Sequence, residues 1–70
     1  MEGRVYEDMR GWRFMVMGGL GVNTYKARYQ KPGKNGWHCV ATLPWRMTPE
    51  RAQKDLDEYA ASHHMREVEA

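Results

Sequence analysis

The sequence predicts an α+β domain in which a three-stranded antiparallel sheet packs against one C-terminal helix, in the order β-β-β-α. Two segments show a two-residue period, which is the period of a strand with one buried face. In 12–17, Trp12, Phe14 and Val16 alternate with Arg13 and two methionines, and 24–30 alternates aromatic or small residues with polar ones. A third segment, 37–43, is apolar on both sides and ends at Pro44, which cannot donate a ladder hydrogen bond. A helix with apolar residues at three- and four-residue spacing follows at 49–63. A chain of 70 residues is expected to hold one such domain.

The first two strands define which face the helix should cover. The apolar positions expected to pack against it are Trp12, Phe14, Val16, Tyr25, Ala27 and Tyr29. The intervening side chains point to the opposite face, because successive residues of a strand alternate. They are Arg13, Met15, Met17, Lys26, Arg28 and Gln30, and His38 is expected beside them. A glycine-rich turn joins these strands, and the Asn35-Gly36 pair is a hairpin signal before the third strand.

The helix has a well-marked start. Thr48 is expected to cap it, with Pro49 at the first helical position and Glu50 near the positive end of the helix dipole. The predicted buried stripe is Ala52, Leu56, Tyr59, Ala60 and His63. Residues 1–10 show no clear period and are expected to form a loose arm, and residues 65–70 a frayed tail.

The composition argues against several classes of protein. Cys39 is the only cysteine, so no internal disulfide can form, and a reduced, cytoplasmic setting is expected. No apolar run reaches ten residues, so no membrane span is predicted. The polar residues show no nucleophile–base pair or carboxylate pair at a workable spacing, which predicts a non-enzymatic protein without a cofactor. His38, His63 and His64 lack the paired spacing of a structural zinc site, so no metal is expected.

The charges are unevenly distributed, although the net charge is only +2. No acidic residue lies between Met9 and Pro49, whereas segment 48–62 has two basic and four acidic residues. A basic sheet face opposite an acidic helix would attract a polyanion. We therefore predict that the open face binds nucleic acid, DNA or RNA. The residues predicted to bind it are Arg13, Lys26, Arg28, Gln30, Lys31, Lys34, His38 and Arg46.

A protein partner is the alternative. If Met15, Met17 and Val40 face outward, they form an exposed apolar patch that suits a protein better than DNA. The edges of a three-stranded sheet could also pair with a second copy, so a monomer or a weak homodimer is expected.

The chain resembles the N-terminal arm-type DNA-binding domain of phage and conjugative-transposon integrases, the tyrosine recombinases. The resemblance covers residues 12–62. It rests on an aromatic-basic-x-Arg strand, a glycine-containing hairpin, an aromatic residue after the third strand, and a Thr-x-x-x-Ala helix start with leucine four residues on. The counterparts are Tyr25, Lys26, Arg28, Gly33, Gly36, Trp45, Thr48, Ala52 and Leu56. The resemblance implies a sheet that enters the DNA major groove, as in the similar plant AP2-type domains, with Arg28 at a base edge.

Two features depart from that family. Segment 38–43 carries no Lys or Arg, and the Arg/His cluster of a recombinase catalytic domain is absent from the sequence. The resemblance therefore implies a free-standing relative from a mobile genetic element. Such a protein could regulate recombination or transcription, or it could act on a protein target such as a host defence nuclease.

Overall fold

One helix packs across a five-stranded antiparallel sheet in the computed structural model, which describes residues 4–19 and 21–68. The strands are β1 (Val5–Glu7), β2 (Arg13–Gly18), β3 (Tyr25–Gln30), β4 (His38–Cys39) and β5 (Arg66–Val68), and the helix is α1 (Pro49–Ser62). The strand order is β4-β3-β2-β1-β5. The α+β class, the antiparallel pairing and the single helix are as predicted, but the sheet has five strands and not three.

The two additional strands lie near the ends of the chain. β1 pairs with β2 on one side and with β5 on the other. Each is only three residues long, and so short a segment shows no readable period in the sequence. The expectation of a loose arm over 1–10 and a frayed tail over 65–70 does not hold for these strand residues. Residues 1–3 and 69–70 lie outside the described structure.

Asp8 forms the turn between β1 and β2. Its carboxylate accepts hydrogen bonds from the backbone N–H groups of Arg10 at 2.9 Å and Trp12 at 3.0 Å. Gly11 adopts a φ of +83°, which a glycine tolerates without a Cβ clash. Burial of Asp8 raises its pKa, because it disfavours the charged form. The hydrogen bonds from Arg10 and Trp12 together lower the pKa by more, so it lies below the usual range.

Helix α1 begins and ends with recognisable caps. The Thr48 hydroxyl accepts the Arg51 N–H at 3.3 Å, as predicted. At the other end, His64 has a φ of +56°, and the N–H of Met65 donates to the Ala60 carbonyl at 2.9 Å. This is the hydrogen-bond pattern of a Schellman cap, and it turns the chain back toward β5.

The core lies between α1 and one face of the sheet. Its buried cluster consists of Phe14, Ala27, Val40 and Leu56. Leu56 is fully buried, and Ala52 and Ala60 of the same helix face are buried with it, as predicted. His63, which was expected in this stripe, is exposed and stacks on Tyr59 with ring centroids 4.1 Å apart. It lies at the helix cap, beyond the last turn that contacts the sheet.

The third predicted strand is much shorter than segment 37–43. Only His38 and Cys39 pair with β3, and the chain then turns, with the Leu43 N–H donating to the Val40 carbonyl at 3.1 Å. Cys39 pairs with Arg28 on the open side of the sheet, so Val40, the next residue, faces the helix. Its N–H donates to the Ala27 carbonyl at 3.0 Å, and only 5% of it is exposed. The expectation that Val40 faces outward with the methionines is therefore wrong.

A hydrogen bond from Tyr6 connects β1 to the helix. The Tyr6 hydroxyl donates to the Asp57 carboxylate at 2.6 Å, and the same carboxylate accepts from Gln53 at 2.9 Å. Burial, together with the hydrogen bond to the Asp57 carboxylate, raises the pKa of Tyr6 to about 12. The neutral phenol is thus the form that the fold stabilises.

We expect Leu56→Ala to lower the free energy of unfolding by about 2–5 kcal/mol, because it leaves a cavity at the fully buried centre of a thin core. Val22→Ala is the control, since Val22 is 89% exposed and should change stability by less than about 0.5 kcal/mol. Urea unfolding of both variants measures the difference. Equal stabilities of the two variants would contradict this packing of α1.

We expect stability to fall in alkaline solution because of Tyr6. The tyrosine ionises near pH 10.0 when unfolded but only near pH 12 in the fold, so its contribution is complete below pH 10 and is lost as the pH rises toward 12. Urea midpoints measured from neutral pH to about pH 11 should therefore decline. The decline should be shallower in Tyr6→Phe, which has no phenol to ionise. A variant that declines as steeply as the wild type would disprove this role of Tyr6.

Candidate nucleic-acid interface

The sheet face opposite α1 is called the open face here. Antiparallel partners share a face, so the strand registers define its members. They are Val5, Glu7, Arg13, Met15, Met17, Lys26, Arg28, Gln30, Cys39, Arg66 and Val68. The two long strands thus divide their residues between the faces as the alternation predicts. β1 and β5 widen the face by residues that the sequence analysis did not assign to it.

The open face carries positive charge. Arg13, Lys26, Arg28 and Arg66 stand on it, and Glu7 is its only carboxylate within the described residues. The helix side holds the compensating acids, since Asp57 binds Arg4 and Tyr6 there. The molecule therefore has a basic face and a helix side that carries most of the described carboxylates, as the distribution of charges along the sequence predicts.

Glu7 neutralises part of the open face. Its carboxylate accepts from Arg66 at 2.6 Å and from Arg13 at 3.3 Å. The hydrogen bond from Arg66 has the largest effect, and together with the one from Arg13 it lowers the pKa of Glu7. Desolvation acts in the opposite direction but is weaker than these bonds. Arg13 is on the face where it was predicted, but it is held in an ion pair by a residue that the sequence analysis placed in the loose arm.

The β3–β4 turn places two lysines next to the end of the open face, and the ammonium of Lys31 lies 5.1 Å from the centroid of the Trp12 ring on the helix side. Lys31 and Lys34 are exposed, and the turn between them is closed by the Lys34 N–H donating to the Lys31 carbonyl at 3.1 Å. It turns at Gly33, where φ is +74°, and not at the predicted Asn35-Gly36 pair. The turn borders a concavity of about 410 Å³ that also contains Arg13 and Gln30 of the open face.

Arg28 lies on the open face in the middle of β3, the second strand of the sheet. Its register partners are Met15 in β2 and Cys39 in β4. The Arg28 Nε is buried and has no hydrogen-bond partner among the residues that the structure describes. A buried guanidinium N–H without an acceptor is unfavourable, and a bound acceptor would remove that cost. The side chain lines a shallow cavity of about 390 Å³, together with Gly21, Thr24 and Trp45.

Trp45 reaches the open face from the segment before α1. Arg46 bridges to Tyr25 through two backbone hydrogen bonds of 2.8 Å, which places Trp45 beside Lys26. The Lys26 ammonium lies 5.4 Å from the centroid of the Trp45 ring, a cation–π distance. Lys26 is therefore on the predicted face but only 9% exposed, whereas Trp45 is 48% exposed.

Gly19 supports the edge of the Trp45 ring. A Cβ added at this glycine would lie 2.7 Å from Trp45 Cζ3 and 2.9 Å from Thr24 Oγ1. Only a residue without a side chain lets the ring approach the backbone this closely. The indole is thus held against the β2–β3 turn, although nearly half of it is accessible to solvent.

Two of the predicted binding residues lie on the helix side. His38 pairs with Tyr29, which places it on the helix side, with the two rings 5.6 Å apart. Arg46 also lies on the helix side, where its Nε donates to Asp55 at 2.6 Å, and this ion pair raises the pKa of Arg46. The charge pattern of the sequence does not reveal this pairing, because Asp55 lies in the acidic segment.

Met15 and Met17 are half-buried on the open face, so part of the predicted apolar patch is present without Val40. Val5 on the same face is 5% exposed and pairs with Val68. Trp45, Glu7 and Arg66 were missed as members of this surface. Only for Trp45 did the sequence carry a signal, an aromatic residue between Pro44 and a basic residue, which does not specify its direction.

Within the described part of the chain, no three His, Cys, Asp or Glu side chains group in a way that could hold a metal ion. Among residues 4–19 and 21–68, no helix is long and apolar enough to cross a membrane. Comparison with known protein families, curated proteins and solved structures finds no match to this chain. The resemblance to integrase arm-type domains therefore stays a prediction.

We expect Gly19→Ala to push the Trp45 ring away from the β2–β3 turn, because the added methyl group would overlap it. Tryptophan emission should shift to longer wavelength as the ring enters water. Gly21→Ala is the control, since its nearest contact would be an ordinary 3.5 Å to Thr24. Emission spectra of the two variants and the wild type measure the effect. Identical spectra would show that Trp45 does not rest on Gly19.

Proposed function

We propose that this protein is a non-enzymatic nucleic-acid-binding module that contacts its ligand through the open face and the β3–β4 turn. The observation that carries the proposal is the excess of cations on this surface. Six basic residues are opposed there by Glu7 alone among the residues described. They are Arg13, Lys26, Arg28, Lys31, Lys34 and Arg66.

The exposure and the ion pairing of these six basic residues support a polyanion as the ligand. Lys31 and Lys34 are exposed on a turn and make no ion pair within residues 4–19 and 21–68. Lysines so placed contact phosphates without reading sequence. Arg13 and Arg66 share one carboxylate, so together they keep one positive charge. The carboxylates of Asp55 and Asp57 are on the helix side and do not oppose a ligand on the open face.

Arg28 is the residue proposed to contact a base. It lies on the open face in the middle of β3, its Nε lacks an acceptor in the described structure, and it borders a cavity that a ligand can enter. The guanine O6 and N7 atoms, or phosphate oxygens, present acceptors that match a guanidinium. The resemblance to integrase arm-type domains places an arginine at the same strand position, which agrees with this role. A source in a mobile genetic element is part of the same proposal.

A protein partner is the second candidate, and the half-buried Met15 and Met17 favour it. Flexible thioether side chains adapt to apolar partners, and Trp45 extends the same surface. An inhibitor of a host defence nuclease would be one such protein. Its binding would depend mainly on apolar contacts, and added salt would weaken it much less than it weakens nucleic-acid binding.

We expect the protein to bind a labelled DNA duplex about two helical turns long, or a single strand of equal length, with strong salt dependence. Three or four phosphate contacts predict a slope of log affinity against log salt of roughly −3 to −4 for the duplex and somewhat less for the strand. Arg28→Ala should weaken binding by about tenfold or more, since one bidentate base contact contributes about 1–3 kcal/mol. Its thermal midpoint should stay near that of the wild type, because the lost Nε has no protein acceptor among the described residues.

Lys54→Ala is the matched control. It removes one positive charge from an exposed position of α1, away from the open face, and should leave affinity nearly unchanged. Fluorescence anisotropy measures binding of all three proteins. If the wild type retains neither probe at low salt, the nucleic-acid proposal fails. If Lys54→Ala weakens binding as much as Arg28→Ala, the ligand does not lie on the open face.

A further inference from the structure

We propose that the cavity between Trp45 and Arg28 holds one unpaired nucleobase, so that the preferred ligand is single-stranded nucleic acid. This inference rests on the proposed function and makes it more specific, because the cation count alone does not distinguish a duplex from a strand. It depends on an exposed ring, a guanidinium without an acceptor, and a cavity that joins the two.

The Trp45 ring supplies a stacking surface. It is 48% exposed, and its edge is fixed against Gly19. A ring that is held in place loses little conformational freedom when a second ring stacks on it. Every nucleobase has a π face, so such a surface accepts any base that is free of its own stack.

Arg28 supplies the polar contact beside that ring. Its side chain and the Trp45 indole line the same cavity of about 390 Å³, whose remaining described walls are Gly21 and Thr24. A planar ring on the indole would bring its edge, or its phosphate, next to a guanidinium whose Nε lacks an acceptor in the described chain. The Lys26 ammonium, 5.4 Å from the indole centroid, adds positive charge at the same place.

The geometry favours an unpaired base over a duplex. Both π faces of a base within a duplex are covered by its neighbours, so it cannot lie on Trp45 unless it leaves the stack. Lys26 and Trp45 are at the start of β3, where Tyr25 bridges to Arg46. The lysines of the β3–β4 turn are at the opposite end of the same strand. A strand that crosses the open face along β3 would place one base at Trp45 and its later phosphates near Lys31 and Lys34.

The test compares two single strands of equal charge. One is a fluorescent oligothymidylate of about 12 nucleotides, and the other has the same phosphates with abasic spacers in place of the bases. Anisotropy at low salt gives both dissociation constants for the wild type, Trp45→Ala, Trp45→Phe and Met47→Ala. The wild type should bind the base-containing strand roughly 5- to 150-fold more tightly than the abasic strand, the range expected for one stacked base.

This preference should disappear in Trp45→Ala and persist in Trp45→Phe, which keeps an aromatic face. It should also persist in Met47→Ala, since Met47 is a 71% exposed neighbour that does not line the cavity. Because the preference is a ratio measured within each variant, partial unfolding would lower both affinities and leave the ratio intact. An oligouridylate of the same length, measured in parallel, shows whether DNA or RNA is the better source of the base.

The outcomes separate this inference from the proposed function. Equal binding of the two strands by the wild type, or a preference that survives in Trp45→Ala, would overturn the stacking site while salt-dependent nucleic-acid binding stands. A duplex bound more tightly than either strand would do the same. If the wild type binds no strand and no duplex at low salt, the proposed function fails, and the stacking site fails with it.

Discussion

The structure depends on the contact of one helix with one face of the sheet, through Leu56 against Phe14, Ala27 and Val40. A chain of this length has only enough apolar surface for one such layer. Within the described residues no helix covers the opposite face, so it can carry charged side chains, although Lys26 is only 9% exposed there and the Arg28 Nε is buried. A two-layer arrangement of one sheet and one helix thus permits a basic open face.

The packing of α1 on one face of the sheet also determines which charged residues form ion pairs. Acidic residues of α1 that point toward the sheet edges bind cations there, as Asp57 binds Arg4 and Asp55 binds Arg46. These pairs are partly exposed, so each contributes little to stability on its own. Their clearer effect is on the surface potential, because they neutralise cations on the helix side and leave those of β3 and its turn without carboxylate partners among the described residues. The basic surface is thus narrower than the sequence suggests, and it is concentrated along one strand.

The terminal strands complete the sheet and shape its edges. β1 places Val5 beside Val68, which forms an apolar pair on the open face. It also positions Glu7 between Arg13 and Arg66, and Glu7 is the one described carboxylate of that face. The edge strands β4 and β5 are two and three residues long. Such short edges offer few free backbone groups to another chain, which disfavours association through strand pairing. The proposed function therefore rests on the open face and not on the sheet edge.

Much of the fold could be predicted from local signals. The alternation in β2 and β3, the Thr48-Pro49 helix start and the burial of Leu56 follow from periodicity and capping, which are properties of neighbouring residues in the chain. These signals also placed Arg13, Lys26 and Arg28 on the face away from the helix. The short strands β1 and β5 could not be read in this way, because three residues show no period and their pairing joins segments about 60 residues apart in sequence.

The sequence by itself determined the fold class, the helix and the faces of β2 and β3, because each depends on contacts between residues close along the chain. Only the tertiary structure decided which basic residues are neutralised, since Glu7 and Asp55 reach Arg13 and Arg46 through the packing of separate elements. It likewise decided that Val40 enters the core, because the register of β4 against β3 puts Cys39 and not Val40 on the open face. It also decided that Trp45 lies beside Arg28, because a single bridge to Tyr25 positions the segment before α1. The sequence shows which side chains are charged and which are apolar. The direction of a side chain outside a regular helix or strand depends on the other parts of the fold that pack against it.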